Sequence, residues 1–170
     1  NKKSKINIGG IVIPEKSFGQ GMWAKAKILE REINIGEAFF ESARFFPKNI
    51  FWEFKGYDEM ITGPEDWDLP QRIRKSYKIV RANSLILHNE KKLSLETLYK
   101  KKYYYGLSTH KYLEKHKLPI ISATTIYFLR PAFYKRWRKL LANPVISFFM
   151  IFMLHVELLG GGIGYLVGRF

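Results

Sequence analysis

The chain contains no cysteine. Disulfides and cysteine-based zinc sites are therefore excluded, and a reducing compartment is permitted. Acidic residues are scarce, 15 against 29 lysines and arginines, so the formal net charge is +14. That imbalance points to a polyanionic partner: nucleic acid, acidic lipid headgroups or a phosphorylated substrate. No internal repeat is visible. Asn1 to Lys5 is basic, but the apolar run behind it is short and holds Pro14 and Glu15, which is not a signal-peptide pattern. A clean run of about 20 apolar residues, the length a spanning helix needs, is also missing. Ser147 to Leu159 is strongly apolar yet carries His155 and Glu157, and Gly160-Gly161-Gly162 follows. This tail is expected to lie in a membrane interface or to re-enter it, with the triple glycine interrupting it.

What is present excludes a disordered chain: 46% hydrophobic and 16% aromatic residues supply ample surface for a core. The charge is also placed informatively. Between Lys91 and Lys117 eight lysines face only Glu96 and Glu114, and Arg130 to Lys139 holds five basic residues and no acid. Both clusters precede the apolar tail. Basic segments beside an apolar one fit a membrane surface better than a nucleic-acid groove, and no nucleic-acid motif is present. A solvated basic surface is the plainer alternative.

Hydrophobic pattern and turn residues predict an α/β chain. A buried strand is expected over Ile6 to Ile13 and a glycine-containing loop over Ser17 to Gly21. A helix follows over Trp23 to Phe40, a short strand over Ala43 to Phe46 and a helical turn over Lys48 to Phe54. Thr62-Gly63-Pro64-Glu65-Asp66 reads as a helix start, with Pro64 at the first helical position and acids in the first turn. That helix runs to about Lys75. Short strands are expected over Tyr77 to Ala82 and Ser84 to His88. Leu95 to Lys115 reads as a tyrosine-rich helix broken near Gly106. From Pro119 a further section contains an amphipathic helix over Arg130 to Leu141 and then the apolar tail.

The stretch from Gly56-Tyr57-Asp58-Glu59 through Glu65-Asp66-Trp67-Asp68, Arg72 and Arg74, to a strand ending at His88, resembles the second half of the catalytic domain of family 2 glycosyltransferases. Arg44-Phe45-Phe46 and Lys101-Lys102-Tyr103-Tyr104-Tyr105-Gly106 extend the likeness, which covers roughly residues 6–116. The resemblance implies a partial GT-A domain over residues 1–118, with a helical membrane-associated tail over 119–170. It also implies an inverting enzyme at the cytoplasmic face of a membrane, serving glycan assembly at the cell envelope. Asp66, second of the acidic pair, would be the base that takes the acceptor proton, and the helix N-terminus would keep it ionised. Glu65 and Trp67 would contact the acceptor. His88 resembles a histidine that helps hold a metal or diphosphate; imidazole suits Mn²⁺ better than Mg²⁺, although a histidine at a strand end also serves structure alone.

Arg72 or Arg74 and the lysines from Lys100 to Lys102, chiefly Lys101 and Lys102, can face a donor diphosphate, a phospholipid surface or simply solvent. Trp23 follows a glycine loop where related enzymes place a mobile acceptor-side segment, and its indole offers either a sugar-stacking face or ordinary core packing. The partners implied are a nucleotide-sugar donor, a lipid-linked or saccharide acceptor, the membrane surface, and a nucleotide-binding half bearing an Asp-x-Asp motif. No such motif stands before Ile6, so the main metal ligands are expected in that half, outside this sequence. The Gln-x-x-Arg-Trp motif of processive members is lacking: Phe133, not glutamine, stands three residues before Arg136-Trp137. A basic membrane-surface module that keeps the half-fold without catalysis is the second reading.

Overall fold

The computed structural model describes residues 7–37 and 40–170. The start of the strand expected at Ile6, and Ala38 and Phe39 within the expected helix, lie outside the described residues. The chain is a mixed α/β structure that ends in a long apolar helix.

The strands are β1 (Ile8–Val12), β2 (Glu15–Gln20), β3 (Lys78–Arg81) and β4 (Ile86–Lys92), and they form two parallel pairs, β1 with β3 and β2 with β4. Phe45 adds one antiparallel bridge to Ile11. β2 corrects the loop expected over Ser17 to Gly21. Its hydrogen-bond partner, β4, lies about seventy positions away, with Glu15 against Ile86 and Ser17 against His88. Only Gly21 (φ 86°) remains a turn, leading into α1 (Met22–Asn34). That helix stops at Asn34 because Ile35 is extended, φ −56° and ψ 131°, well short of the end expected at Phe40.

Two short helices follow, α2 (Lys48–Glu53) and α3 (Glu65–Ile73). Pro64 caps α3 from outside instead of occupying its first position, and its carbonyl accepts from the amides of Trp67 and Asp68. α4 (Leu95–Lys115) is capped by Ser94, whose hydroxyl accepts from the Thr97 amide. The section expected as one amphipathic helix is two, α5 (Pro131–Lys135) and α6 (Trp137–Ala142), joined at Arg136.

The last element, α7 (Pro144–Arg169), runs unbroken through the triple glycine. At 26 residues it is about 39 Å long. It is the one helix among the described residues long and apolar enough to cross a membrane. Its inner face packs on α1 and α4. Gly160, Gly164 and Gly168 repeat every fourth residue and meet Tyr99, Tyr103 and Leu107, which repeat at the same interval on α4. A Cβ on Gly160 would stand 2.7 Å from the Tyr99 carbonyl oxygen, and one on Gly164 or Gly168 would strike the carbonyls of Tyr103 and Leu107. Gly106 answers from α4, facing the backbone of Gly161 and Gly164. Glycines that looked like helix breakers thus let two helix backbones touch, which explains why neither α4 nor α7 is interrupted.

The largest apolar core crosses the boundary expected near Pro119. Ala26, Leu29 and Ile33 of α1 and Leu98 of α4 pack with Tyr127, Phe133, Met150, Met153 and Leu154. The outer face of α7 is left exposed: Val145, Phe148, Leu159, Ile163, Leu166 and Val167 line it, and Trp137 and Leu141 of α6 are exposed as well.

Candidate functional site

Asp66 lies in the first turn of α3. Three contacts fix that turn. Ser108 of α4 clasps Thr62: its hydroxyl accepts from the Thr62 amide at 2.8 Å and donates to the Thr62 carbonyl at 2.9 Å. Gly63 (φ 99°) lets the ring of Tyr105 close on the chain, where a Cβ would stand 2.6 Å from Tyr105 Cγ. Asp68, fully buried at 0% exposure, binds Arg72 Nε at 2.8 Å, Lys115 Nζ at 2.9 Å and His116 Nε2 at 2.8 Å. Burial opposes the charge on Asp68, but hydrogen bonds from Lys115, His116 and Arg72 outweigh it and hold the carboxyl below its ordinary range.

Arg72 completes this clamp. Its two terminal nitrogens donate to the carbonyls of Phe54 and Gly56, and Lys115 also pairs with Asp58 at 2.6 Å. The Gly56-Tyr57-Asp58 turn is therefore fastened to α3 and to the end of α4. This corrects the expectation for Arg72: its guanidinium holds the fold together instead of facing a diphosphate. Arg74 is exposed at the C-terminal end of α3, eight residues and about 12 Å along the axis from Asp66, so it does not join the site either.

The environment of Asp66 is unusual for an acid in a first helical turn. Burial, followed by the neighbouring Glu65 carboxylate, pushes its carboxyl up to about 6, with Arg44 only partly offsetting them. Desolvation and a like charge thus weaken the preference for the charged form expected from the helix N-terminus, while a carboxyl at about 6 stays mostly ionised at neutral pH. Ser42 stands close by. Burial and then the charges of Glu65 and Asp66 raise the Tyr105 hydroxyl as well. One Glu65 oxygen, Oε2, is buried with no hydrogen-bond partner among the described residues.

Arg44, Ser42 and Tyr105 also line a cleft of about 260 Å³ between α1 and α4. Each helix presents a stripe to it at i, i+3, i+4 and i+7: Lys27, Glu30, Arg31 and Asn34 from α1, and Leu98, Lys101, Lys102 and Tyr105 from α4. Five of its six basic side chains have carboxylate partners. Lys27 binds Glu30 at 2.6 Å and Glu157 at 2.8 Å, and Lys102 lies 3.7 Å from Glu157. Arg31 binds Glu15 and Glu90, and Arg44 binds Glu15 at 2.6 Å. Arg130 lies 3.7 Å from Glu30, with its guanidinium between the rings of Phe40 and Tyr127. Lys101 has no carboxylate within ion-pair distance among the described residues and rests 5.6 Å from the Tyr105 ring centre. Burial, then the cations Lys102, Lys27 and Arg31, lower its ammonium below the ordinary lysine value.

His88 does not line the cleft but touches Glu15 and Arg31, which do. Its ring lies 3.8 Å from both Glu15 and Glu90, and Arg31 Nη2 stands 3.5 Å from Nε2. Both carboxylates are already held by Arg31 or Arg44, and a guanidinium beside the imidazole repels a cation. No group of three His, Asp or Glu residues able to hold a metal occurs among the described residues. The side chains present therefore do not fit a divalent ion by themselves, and His88 is a polar neighbour of the cleft.

Trp23 and Trp67 are packing residues. Trp23 meets Phe149 edge-on at 5.3 Å and stacks with Phe152 at 6.1 Å, so it anchors α1 to α7, the packing alternative of the two open from sequence. Trp67 packs edge-on against Phe40 at 5.8 Å and Tyr112 at 6.4 Å. Sequence reasoning passed over Glu15, Lys27 and Arg31 as cleft residues, and gave no role to Arg44 and Tyr105 within the stretches that carry the resemblance. The polar i, i+3, i+4, i+7 spacing on α1 was the available signal, since such a stripe beside an apolar one of Ala26, Leu29 and Ile33 marks a helix facing both a core and a charged cleft. The chain matches no family model, no curated protein and no solved structure.

Proposed function

We propose that this chain is the acceptor-and-base half of an inverting, family 2-like GT-A glycosyltransferase that works at a membrane surface. The observation that carries the reading is Asp66: a half-buried carboxyl at about 6, in the first turn of a clamped helix, beside a cationic cleft. A carboxylate of that strength is still ionised near neutral pH and is a better proton acceptor than an ordinary aspartate. In the proposed step the acceptor hydroxyl gives its proton to Asp66 and its oxygen bonds to the anomeric carbon of the donor sugar. The bond from that carbon to the nucleotide diphosphate breaks, and its electron pair leaves with the diphosphate. Attack and departure on opposite faces invert the centre. Glu65 keeps Asp66 basic and is placed to meet an acceptor hydroxyl. Donor binding belongs to the nucleotide half, and a divalent cation there would offset the charge on the leaving diphosphate.

The membrane part of the reading rests on α7. With α1 and α4 against its inner face, the helix meets a bilayer side-on through its exposed apolar face, and Lys135, Arg138 and Lys139 stand beside it for acidic headgroups. An upright span would carry the lysines of α4 into hydrocarbon. The test is transfer by the assembled enzyme, this chain together with its nucleotide half, carrying Asp66→Asn. A loss of about 10²-fold or more at unchanged fold is expected of a general base. Turnover near that of the unmodified enzyme would leave only a basic membrane module.

A further inference from the structure

One cation of the cleft has an aromatic ring beside it but no carboxylate partner among the described residues. Lys27, Lys102, Arg31, Arg44 and Arg130 all have carboxylate partners, whereas Lys101 stands at the cleft with none among the described residues. Its neighbours Lys102, Lys27 and Arg31 crowd it with like charge, which an anion in the cleft would relieve. Lys100, one residue earlier, shows the contrast: it points away from the cleft and pairs with Glu96.

The depth of the cleft selects the anion's source. Glu157 lies on the inner face of α7 and forms part of the cleft lining, while Leu159, Ile163 and Leu166 are exposed on the outer face. A helix with its side chains is about 10–12 Å thick, and an interfacial helix sits about 5–10 Å into the headgroup and acyl boundary. With α7 seated in this way, the cleft lies behind its inner face at about the height of lipid phosphates. Tyr105 and Arg44 line it and also border Asp66, so the cleft and the carboxyl share two side chains.

We infer that Lys101 takes the phosphate of a lipid-linked saccharide acceptor, and not the donor diphosphate or a bare phospholipid surface, the other anions open to it from sequence. This rests on the glycosyltransferase reading for the identity of the saccharide, but not for the phosphate site. The acceptor is then gripped at two points, its phosphate by Lys101 and its reacting hydroxyl by Asp66 and Glu65. An acceptor lacking phosphate would lose the first contact and keep the second.

The experiment is vesicle co-sedimentation of the full 170-residue chain, unmodified and as Lys101→Gln and Lys100→Gln. One set of phosphatidylcholine vesicles carries polyprenyl diphosphate N-acetylglucosamine; a second carries glucosyl diacylglycerol, a phosphate-free lipid-linked sugar. Lys101→Gln is expected to weaken binding to the first set by about tenfold, the scale of one charge-assisted contact, and to leave the second unchanged. Lys100→Gln is expected to leave both unchanged. Equal losses for the two lysine variants would reduce the effect to general surface charge and overturn the inference. Displacement from the first vesicles by soluble UDP-N-acetylglucosamine would assign Lys101 to the donor and overturn it as well. Because binding is read without turnover, failure here leaves the role of Asp66 standing, and failure of the Asp66→Asn assay leaves the phosphate site standing.

Discussion

The ammonium of Lys27 lies 2.8 Å from the Glu157 carboxylate, an ion pair across 130 residues of sequence that pins the apolar α7 to the helix lining the cleft. Glu157 is 1% exposed, so it has left water entirely for this contact. Breaking a buried pair from one side leaves a desolvated charge behind, which costs more than the pair itself contributes. Glu157→Gln is expected to lower stability by about 3 kcal/mol, read as a urea midpoint of the detergent-solubilised chain. The double variant Lys27→Met/Glu157→Met should recover only part of that loss, because buried Glu30 and Lys102 each lose a partner as well. A single variant as stable as the unmodified chain would show that the pair does not hold α7.

The glycines of α7 make opposite predictions according to what they face. Gly164 meets the Tyr103 carbonyl, so Gly164→Leu should separate α7 from α4 at a cost of about 1–3 kcal/mol. Gly162 has nothing within 4 Å. There Gly162→Ala should stabilise the helix by about 0.5–1 kcal/mol, because only backbone freedom is lost. Thermal unfolding of the two variants side by side checks the interface; equal effects would contradict it.

Asp66 should show opposite signs in activity and stability. Its folded value of about 6 lies above the unfolded value of about 3.9. Its contribution to stability is therefore fully present below about pH 4 and is lost as pH rises through about 6. Asp66→Asn carries no charge at any pH, so it should match the unmodified chain at pH 4 and unfold at a higher temperature at pH 8. The transfer rate of the assembled enzyme should rise with pH through about 6 and level off above it. A rate that is flat across that range would separate Asp66 from the chemistry.

Asp68 predicts the reverse pH dependence. Its carboxyl is held below the ordinary value, so its stabilisation is present above about pH 4 and is lost as pH falls through its lower folded value. At neutral pH, Asp68→Asn leaves Arg72, Lys115 and His116 facing an uncharged amide and should cost about 3 kcal/mol. Asp58 is more exposed and shares Lys115, so Asp58→Asn should stay within about 1 kcal/mol. Urea midpoints at pH 7 and pH 3 distinguish the two.

The start of α3 was legible because its signals are local: a glycine turn, a proline and acids in the first turn. The existence of α4 and the apolar character of α7 were legible from composition and period. The strand β2 was not, since Ser17 to Gly21 reads as a loop until β4 is placed beside it. Gly106 and the triple glycine were misread because the same residue serves as a helix breaker in water and as a close-contact surface between helices. Arg72 and Trp23 carried the chemistry of a binding site in their side chains alone; the partners that occupy them, the Gly56 carbonyl and Phe149, come from distant segments. The place of Asp66 in the first turn of α3 was legible, but its raised carboxyl depends on burial that no local pattern reports.

One helix, α4, touches both ends of this arrangement. At Gly106 it meets α7 backbone to backbone, and two residues later Ser108 grips Thr62, four residues before Asp66. Contacts of this kind have no long side chain to flex, so α4 acts as a rigid spacer. The spacing between Asp66 and the apolar face of α7 is then set by α4. On the proposed reading, an acceptor anchored beneath that face would be selected by the distance from its anchor to its hydroxyl, however well its ring fits.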